Sequence, residues 1–193
     1  MATTSAVHTI LASVERDREA LYASVADVGA AEIDVRPAPD AWSVCEVLDH
    51  LHRVEAGIAK LLAVRVGKGR AAGTLLPAPD ESEEAVAAAM AAFEAYATTM
   101  TSGRLQAPET VCPQAGRTKD ELLAALRSSR EALVAAALDG AAYDLGAMRH
   151  PHPSLGDIDL RQWLQFVGRH ERRHMAQIAV VRRSLAEGAG VER

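Results

Sequence analysis

The sequence predicts an all-α bundle, and three observations lead to it. Apolar residues recur with helical period in five segments, near residues 5–27, 43–66, 81–101, 118–138 and 159–186. The chain is 49% hydrophobic but only 4% aromatic, so its apolar content is mostly Ala, Leu and Val, of which Ala and Leu favour helix. No run of β-branched and aromatic residues alternates with period two, so no segment reads as a strand. At 193 residues the whole chain, 1–193, is expected to be one domain. A domain of that size buries about 70% of the surface its unfolded form would expose.

Each element has its own punctuation. The first helix begins within the N-terminal MATTSAVHTI, which lacks the basic and apolar regions of a signal peptide. The second follows the break Arg36-Pro-Ala-Pro-Asp-Ala and opens on the capping box Ser43-x-x-Glu46. Leu76-Pro-Ala-Pro-Asp separates it from the third, where Asp80-x-x-Glu83 imitates such a box. Pro108 to Gly116 cannot continue a helix, and Thr118-x-x-Glu121 caps the fourth. His150-Pro-His-Pro-Ser-Leu-Gly interrupts the chain before the fifth.

Bulk properties narrow the function. A net charge of −5 argues against nucleic acid, which calls for a basic patch. No run of 18 apolar residues exists, so no membrane span is expected. Cys45 and Cys112 stand far apart and outside any C-x-x-C pair, which suits a reducing cytoplasm and two small buried hydrophobes.

The fifth segment carries His170-Glu171-Arg172-Arg173-His174, which satisfies H-E-x-x-H, the pattern of zinc peptidases. Its context disfavours a peptidase. Met-Ala-Gln-Ile-Ala-Val-Val follows His174, with no Gly and no third His, and Glu187 and Glu192 are the only downstream carboxylates. An all-α bundle also offers no sheet for a substrate cleft.

A helix advances about 100° per residue. Trp163, Val167, His170, His174, Gln177 and Val181 therefore share one stripe, with Arg172 pointing away. Two histidines one turn apart on a buried face need polar partners. A shared metal ion supplies both at once; the alternative is a pair of hydrogen-bonded core residues. On the second segment the apolar stripe runs through Val47, Leu51, Val54, Ile58 and Leu61. His50 falls at its inner edge and is the candidate third ligand, while His52 projects to the opposite side and is expected to be solvated. Three neutral imidazoles leave coordination positions open, the catalytic pattern for zinc.

Trp42-Ser-Val-x-Glu-Val-Leu-x-His50-Leu, with His150-Pro-His-Pro-x-Leu-Gly-x-Ile-x-Leu-x-x-Trp163-Leu-x-Phe-x-x-His170-Glu-x-x-His174-x-x-Gln177-Ile, resembles the DinB/YfiT-like superfamily across essentially the whole chain. The resemblance implies a four-helix bundle of up-down-down-up connectivity, here with one additional helix. It implies a divalent metal, zinc or nickel, on His50, His170 and His174. It further implies either a metal-dependent thiol S-transferase drawing on a low-molecular-weight thiol cosubstrate or a metal-dependent hydrolase. The alternative is a non-catalytic, metal-stabilised binding or stress protein.

Other residues complete these expectations. Gln177 could orient a ligand or a metal-bound water. Glu55 could accept a ligand imidazole N–H or pair with an arginine, and His152 could approach the open metal face. Trp42 and Trp163 are expected in the core beside the histidines, and Arg169 and Arg173 at a solvated helix edge. The expected partners are a small-molecule substrate and a second copy of the chain as a homodimer, with no nucleic acid and no membrane.

Overall fold

The structure is a computed structural model that describes residues 5–30, 32–101 and 107–191, with side chains through residue 185. In chain order it contains α1 (Ala6–Val25), α2 (Val44–Ala72), α3 (Glu83–Met100), α4 (Lys119–Gly140), a hairpin of β1 (Arg149–His152) and β2 (Gly156–Asp159), and α5 (Leu160–Val191).

Two helix starts follow the sequence reading closely. The Ser43 hydroxyl accepts the Glu46 N–H at 3.2 Å, and the Glu46 carboxylate accepts the Ser43 N–H at 2.9 Å. Thr118 and Glu121 make the same reciprocal pair. The third start differs: Ser82, not Asp80, caps α3, by accepting the Ala85 N–H at 3.2 Å. A hydroxyl two residues closer to the helix reaches the free amide directly.

α2 runs six residues beyond its expected end at 66, through Gly67 and Gly69, to a left-handed cap at Gly73 with φ 66°. Leu75 folds back over this last stretch, and a Cβ at Gly69 would lie 2.3 Å from Leu75 Cδ2. Glycine there permits a close return of the chain that a periodicity count reads as a break.

The hairpin is a correction to the all-helical expectation. Arg149 pairs with Asp159, His150 with Ile158, Pro151 with Asp157 and His152 with Gly156. Its strands are four residues long, too short for alternation to show, and Pro151 interrupts the first. Its stability comes from elsewhere in the chain. Leu155 and Ile158 are buried, the Tyr96 hydroxyl donates to the Leu155 carbonyl at 2.7 Å, and Trp163 Nε1–H donates to the His150 carbonyl at 3.1 Å.

Contacts fix the helix directions. Asp49 meets Arg117, Glu55 meets Ser129, and Arg70 meets Asp139, so α2 and α4 run parallel. Arg18 meets Glu171 while Asp27 meets Arg182, so α1 and α5 run parallel as well. Arg18 reaches the Leu126 carbonyl and Val14 the Arg130 side chain, which makes α1 antiparallel to α4. The bundle is therefore up-down-down-up in α1, α2, α4 and α5. The additional helix α3 lies in the long α2–α4 connection and is tied to α5 by Arg169, which bonds Glu94, Thr98 and Thr101.

The core is divided in two. One apolar cluster includes Val7, Ile10, Leu62, Leu133 and Leu164; the other includes Leu21, Val25, Leu48, Leu122 and Ile178. Between them lies a layer of charge with one contribution from each bundle helix. Arg18 Nε and Nη2 donate to Glu171 Oε1 at 2.8 and 2.5 Å, and Nη2 also donates to Glu55 Oε2 at 2.7 Å. Arg130 donates to Glu55 Oε1 at 2.6 Å and to Glu171 Oε1 at 2.9 Å, and Ser129 completes Glu55 at 2.5 Å. Glu171 Oε2 is buried without a hydrogen-bond partner. Burial pushes the Glu171 carboxyl up to about 7 against the pull of Arg18 and Arg130.

Breaking a buried ion pair on one side leaves an uncompensated charge and costs about 3–5 kcal/mol, whereas an apolar replacement of the whole group is often neutral. Arg18→Met should therefore lower the urea-derived unfolding free energy by about that amount. Replacing Arg18, Glu55, Arg130 and Glu171 together by apolar residues of similar volume should recover most of it. Single variants within about 0.5 kcal/mol of the parent would show that the layer does not hold the bundle.

Candidate metal centre

The site is assembled from α2, α5 and the α3–α4 connection. Trp42 precedes the α2 capping box, and the exposed Arg36 bonds the carboxylate of Glu46 at N3, fixing the approach to the helix. His50 follows in the second turn, 4% exposed, among Val47, Leu48 and Leu51. On α5 the buried face runs through Leu164, Val167, Glu171, His174, Ile178 and Val181. This face is rotated from the expected stripe. Glu171 lies at its centre, His174 is buried beside it, and His170 sits at the edge, partly exposed.

The three rings converge through one nitrogen each. His50 Nε2 lies 3.2 Å and His174 Nε2 lies 3.0 Å from His170 Nε2. All three ligand atoms fall within 4.8 Å of one another. Nitrogens sharing one zinc ion at about 2.0–2.1 Å in tetrahedral geometry would stand about 3.3 Å apart.

The far sides of two rings are committed. His50 Nδ1 donates to the Val111 carbonyl at 2.7 Å, and His174 Nδ1 faces the Gln177 amide oxygen at 2.8 Å. A carbonyl only accepts, so both rings carry their proton on Nδ1 and present a bare lone pair at Nε2. His170 has a single proton and can satisfy at most one of its two nitrogen contacts. At least one short N···N contact then has no proton between its two nitrogens, and a cation among the three removes the conflict. The donor set fits a divalent ion preferring imidazole.

Electrostatics keep the rings neutral. Burial, followed by the neighbouring His174 and His50, holds His170 well below its ordinary value. Burial and His50 bring His174 down to about 4 against the Gln177 bond, and burial lowers His50 against Val111 and Asp49. Aromatic rings wall the cluster. Trp42 stacks on His174 at 6.2 Å between centroids and lies 4.9 Å from His50, while Phe166 stacks on His170 at 5.1 Å.

Of the other sequence candidates, Gln177 joins the site through His174. Glu55 does not: both its oxygens are taken by Arg18, Arg130 and Ser129, so of its two sequence readings the arginine pairing holds and the ligand-ring contact does not. His152 sits one aromatic layer away, packed 4.5 Å from Phe166 and 4.8 Å from Trp163. Its Nδ1 accepts the Ser154 and Leu155 N–H groups, so it shapes the hairpin turn. His52 is half-buried rather than solvated, with Nδ1 enclosed and unbonded. Cys45 is buried as expected, but Cys112 is exposed in the α3–α4 connection. Arg169 is mostly covered by its bonds to α3 instead of lining a solvated edge. Glu171 lies outside the histidine cluster, in the ion layer. Residues 1–4, Glu192 and the Glu187 side chain lie outside the described residues.

One participant escaped the sequence reading, and another was present in it only as a neighbour of the histidine stripe. Phe166, four residues before His170 on one helix, is recoverable from the i, i+4 rule. The Val111 carbonyl has no sequence signal, because any residue supplies a carbonyl.

Comparison with known proteins agrees with this architecture. A four-helix bundle protein, TT2238, superimposes with a TM-score of 0.59 at 18% identity, covering 90% of this chain and 98% of its own. The uncharacterized protein YuaE of Bacillus subtilis (strain 168) is 25% identical over 155 residues, 80% of this chain and 85% of its own. The profile of the DinB superfamily matches residues 13–178. With most of its length matched, from the middle of α1 to beyond the last histidine, the chain belongs to the DinB superfamily.

Proposed function

We propose that the chain is a metal-dependent enzyme in which His50, His170 and His174 hold one divalent ion, zinc or nickel, and act on a small-molecule substrate. The observation that carries this reading is the proton count: three Nε2 atoms converge with too few protons to bond one another. Such an ion lowers the pKa of a thiol or water bound to it and yields a nucleophile near neutral pH.

The chain's own residues supply the rest. The Val111 carbonyl and Gln177 orient His50 and His174, and the stacked Trp42 and Phe166 exclude water from two sides. No fourth His, Cys, Asp or Glu joins the cluster among the described residues, which favours an open, catalytic site over a closed structural one. The Cys45 thiol is pushed up to about 12 by burial and by Asp34, so it is no nucleophile at neutral pH. In an S-transferase reaction the thiol is then brought by a low-molecular-weight cosubstrate; in a hydrolase water takes its place. Among the described residues no helix is long and apolar enough to cross a membrane.

Elemental analysis of the purified chain should find about one divalent ion per chain. His50→Ala and His174→Ala should lose it and His52→Ala should keep it; equal content in all three would remove the site assignment. A screen pairing low-molecular-weight thiols with electrophiles, beside an ester-hydrolysis screen, separates the two reactions.

Glu171→Gln should lower the thermal midpoint, because the residue belongs to the ion layer. It should leave metal content and turnover within a few-fold. A loss of about 10²–10⁴ in turnover at unchanged metal content, the scale of general acid–base catalysis, would return Glu171 to the role of a base.

Chelated protein should stay helical by circular dichroism with a lower melting temperature, since the bundle has two apolar clusters of its own and the ion adds stability by mass action. Its pH dependence has a defined sign. His174 titrates near 4 in the folded chain against 6.5 in the unfolded one, so the unfolded state binds the proton first. The associated stability is present above 6.5 and is lost as the pH falls towards 4. Glu171, raised from 4.5 to about 7, works oppositely, losing stability as the pH rises through 7. Comparison of metal-free parent and His174→Gln isolates the histidine: urea midpoints should diverge less at pH 5 than at pH 7.5. A constant difference would contradict the assignment.

A further inference from the structure

The α3–α4 connection reaches the histidine cluster through a backbone carbonyl. Its short 3-10 turn, Glu109–Val111, ends on the carbonyl that accepts His50 Nδ1–H at 2.7 Å. Beside a Cys45 thiol contact to the Arg117 carbonyl at 3.7 Å, the residue before His50 holds this connection against α2. The Asp49 carboxylate is 0% exposed. Its Oδ2 accepts the Gln114 backbone N–H at 2.8 Å and Arg53 Nε at 2.5 Å, and its Oδ1 accepts Arg117 Nη1 at 3.0 Å. Arg117 in turn donates to the Glu121 carbonyl at 3.2 Å, in the first turn of α4. One buried anion thus ties down the loop three and six residues beyond Val111. Asp49 is about 100° around the helix from His50 and stands outside the group of convergent ligand atoms, so it does not compete as a ligand.

We infer that Asp49 is the positioning residue of the candidate metal centre: by clamping the α3–α4 connection it keeps the Val111 carbonyl on His50 Nδ1 and so fixes that ring's tautomer and aim. The inference rests on the three histidines being metal ligands. Partners one shell beyond a ligand typically change metal affinity by about 10–100-fold.

The test has two readouts on the full chain. In metal-free protein, ¹H–¹⁵N correlation spectra of the imidazoles should place the His50 proton on Nδ1. Asp49→Ala should shift it to a mixture with the Nε2–H form. In cobalt(II) titrations followed by ligand-field absorption, Asp49→Ala should bind at least about tenfold more weakly, with an altered spectrum. Asp49→Asn, which keeps an oxygen for the Gln114 N–H, should restore the tautomer and most of the affinity. Arg117→Ala, which loosens the same loop from the other side, should move both readouts in the same direction by less. A purely structural Asp49 would lower the melting temperature in both Asp49 variants without moving the tautomer. A folded Asp49→Ala with parental tautomer and affinity overturns the inference; if that variant fails to fold, parental values in Arg117→Ala do so. Should the parent take up no cobalt, the metal reading falls and the tautomer alone decides the role of Asp49.

Discussion

Two arginines and two glutamates, one from each helix of the bundle, meet where water is excluded, and the placement of everything else follows from that meeting. Arg18, Glu55, Arg130 and Glu171 exchange hydrogen bonds of 2.5–2.9 Å and separate two apolar clusters. Apolar surfaces slide past one another at modest cost, because any comparable burial is nearly as good. A buried charge has no such freedom, since a one-turn slip strands it without a partner in a low dielectric. The layer therefore fixes the register of α1, α2, α4 and α5.

The histidine cluster inherits that register. With Glu55 opposite Glu171 through their shared arginines, antiparallel α2 and α5 bring His50, five residues before Glu55, beside His170 and His174. The adjacent letters H-E in α5 thus serve different surroundings. His170 turns to α2 at the edge of the bundle, while Glu171 turns inward to Arg18 and Arg130. A zinc peptidase needs that glutamate on the metal's side. Here the helix has placed it in the charge layer.

The site is supported by parts with little core of their own. The hairpin hangs on Leu155, Ile158 and Trp163, and its His152 and the neighbouring Phe166 form an aromatic ledge leading to His170. The α3–α4 connection is held by Asp49, and α3 by Arg169. Each borrows its position from α2 or α5, so the geometry of the histidines depends on the two helices that carry them.

The sequence by itself determined the helices and the three histidines that converge. Periodicity, capping boxes at Ser43 and Thr118, and proline breaks are local signals, and a helical wheel selects His50 over His52 because one face of α2 is apolar. The stripe on α5 was legible only to within one position. Glu171 lies seven residues from both Leu164 and Ile178 and so shares their face, but a lone carboxylate reads as solvated until its arginine partners are known. Those partners, on α1 and α4, are separated from it by 153 and 41 residues. Tertiary structure alone decided which arginines meet Glu55, the hairpin and the Val111 carbonyl on His50. The physical reason is common to all three: each depends on a hydrogen bond or buried side chain contributed by a distant segment, and no local pattern of residues encodes which distant group will arrive.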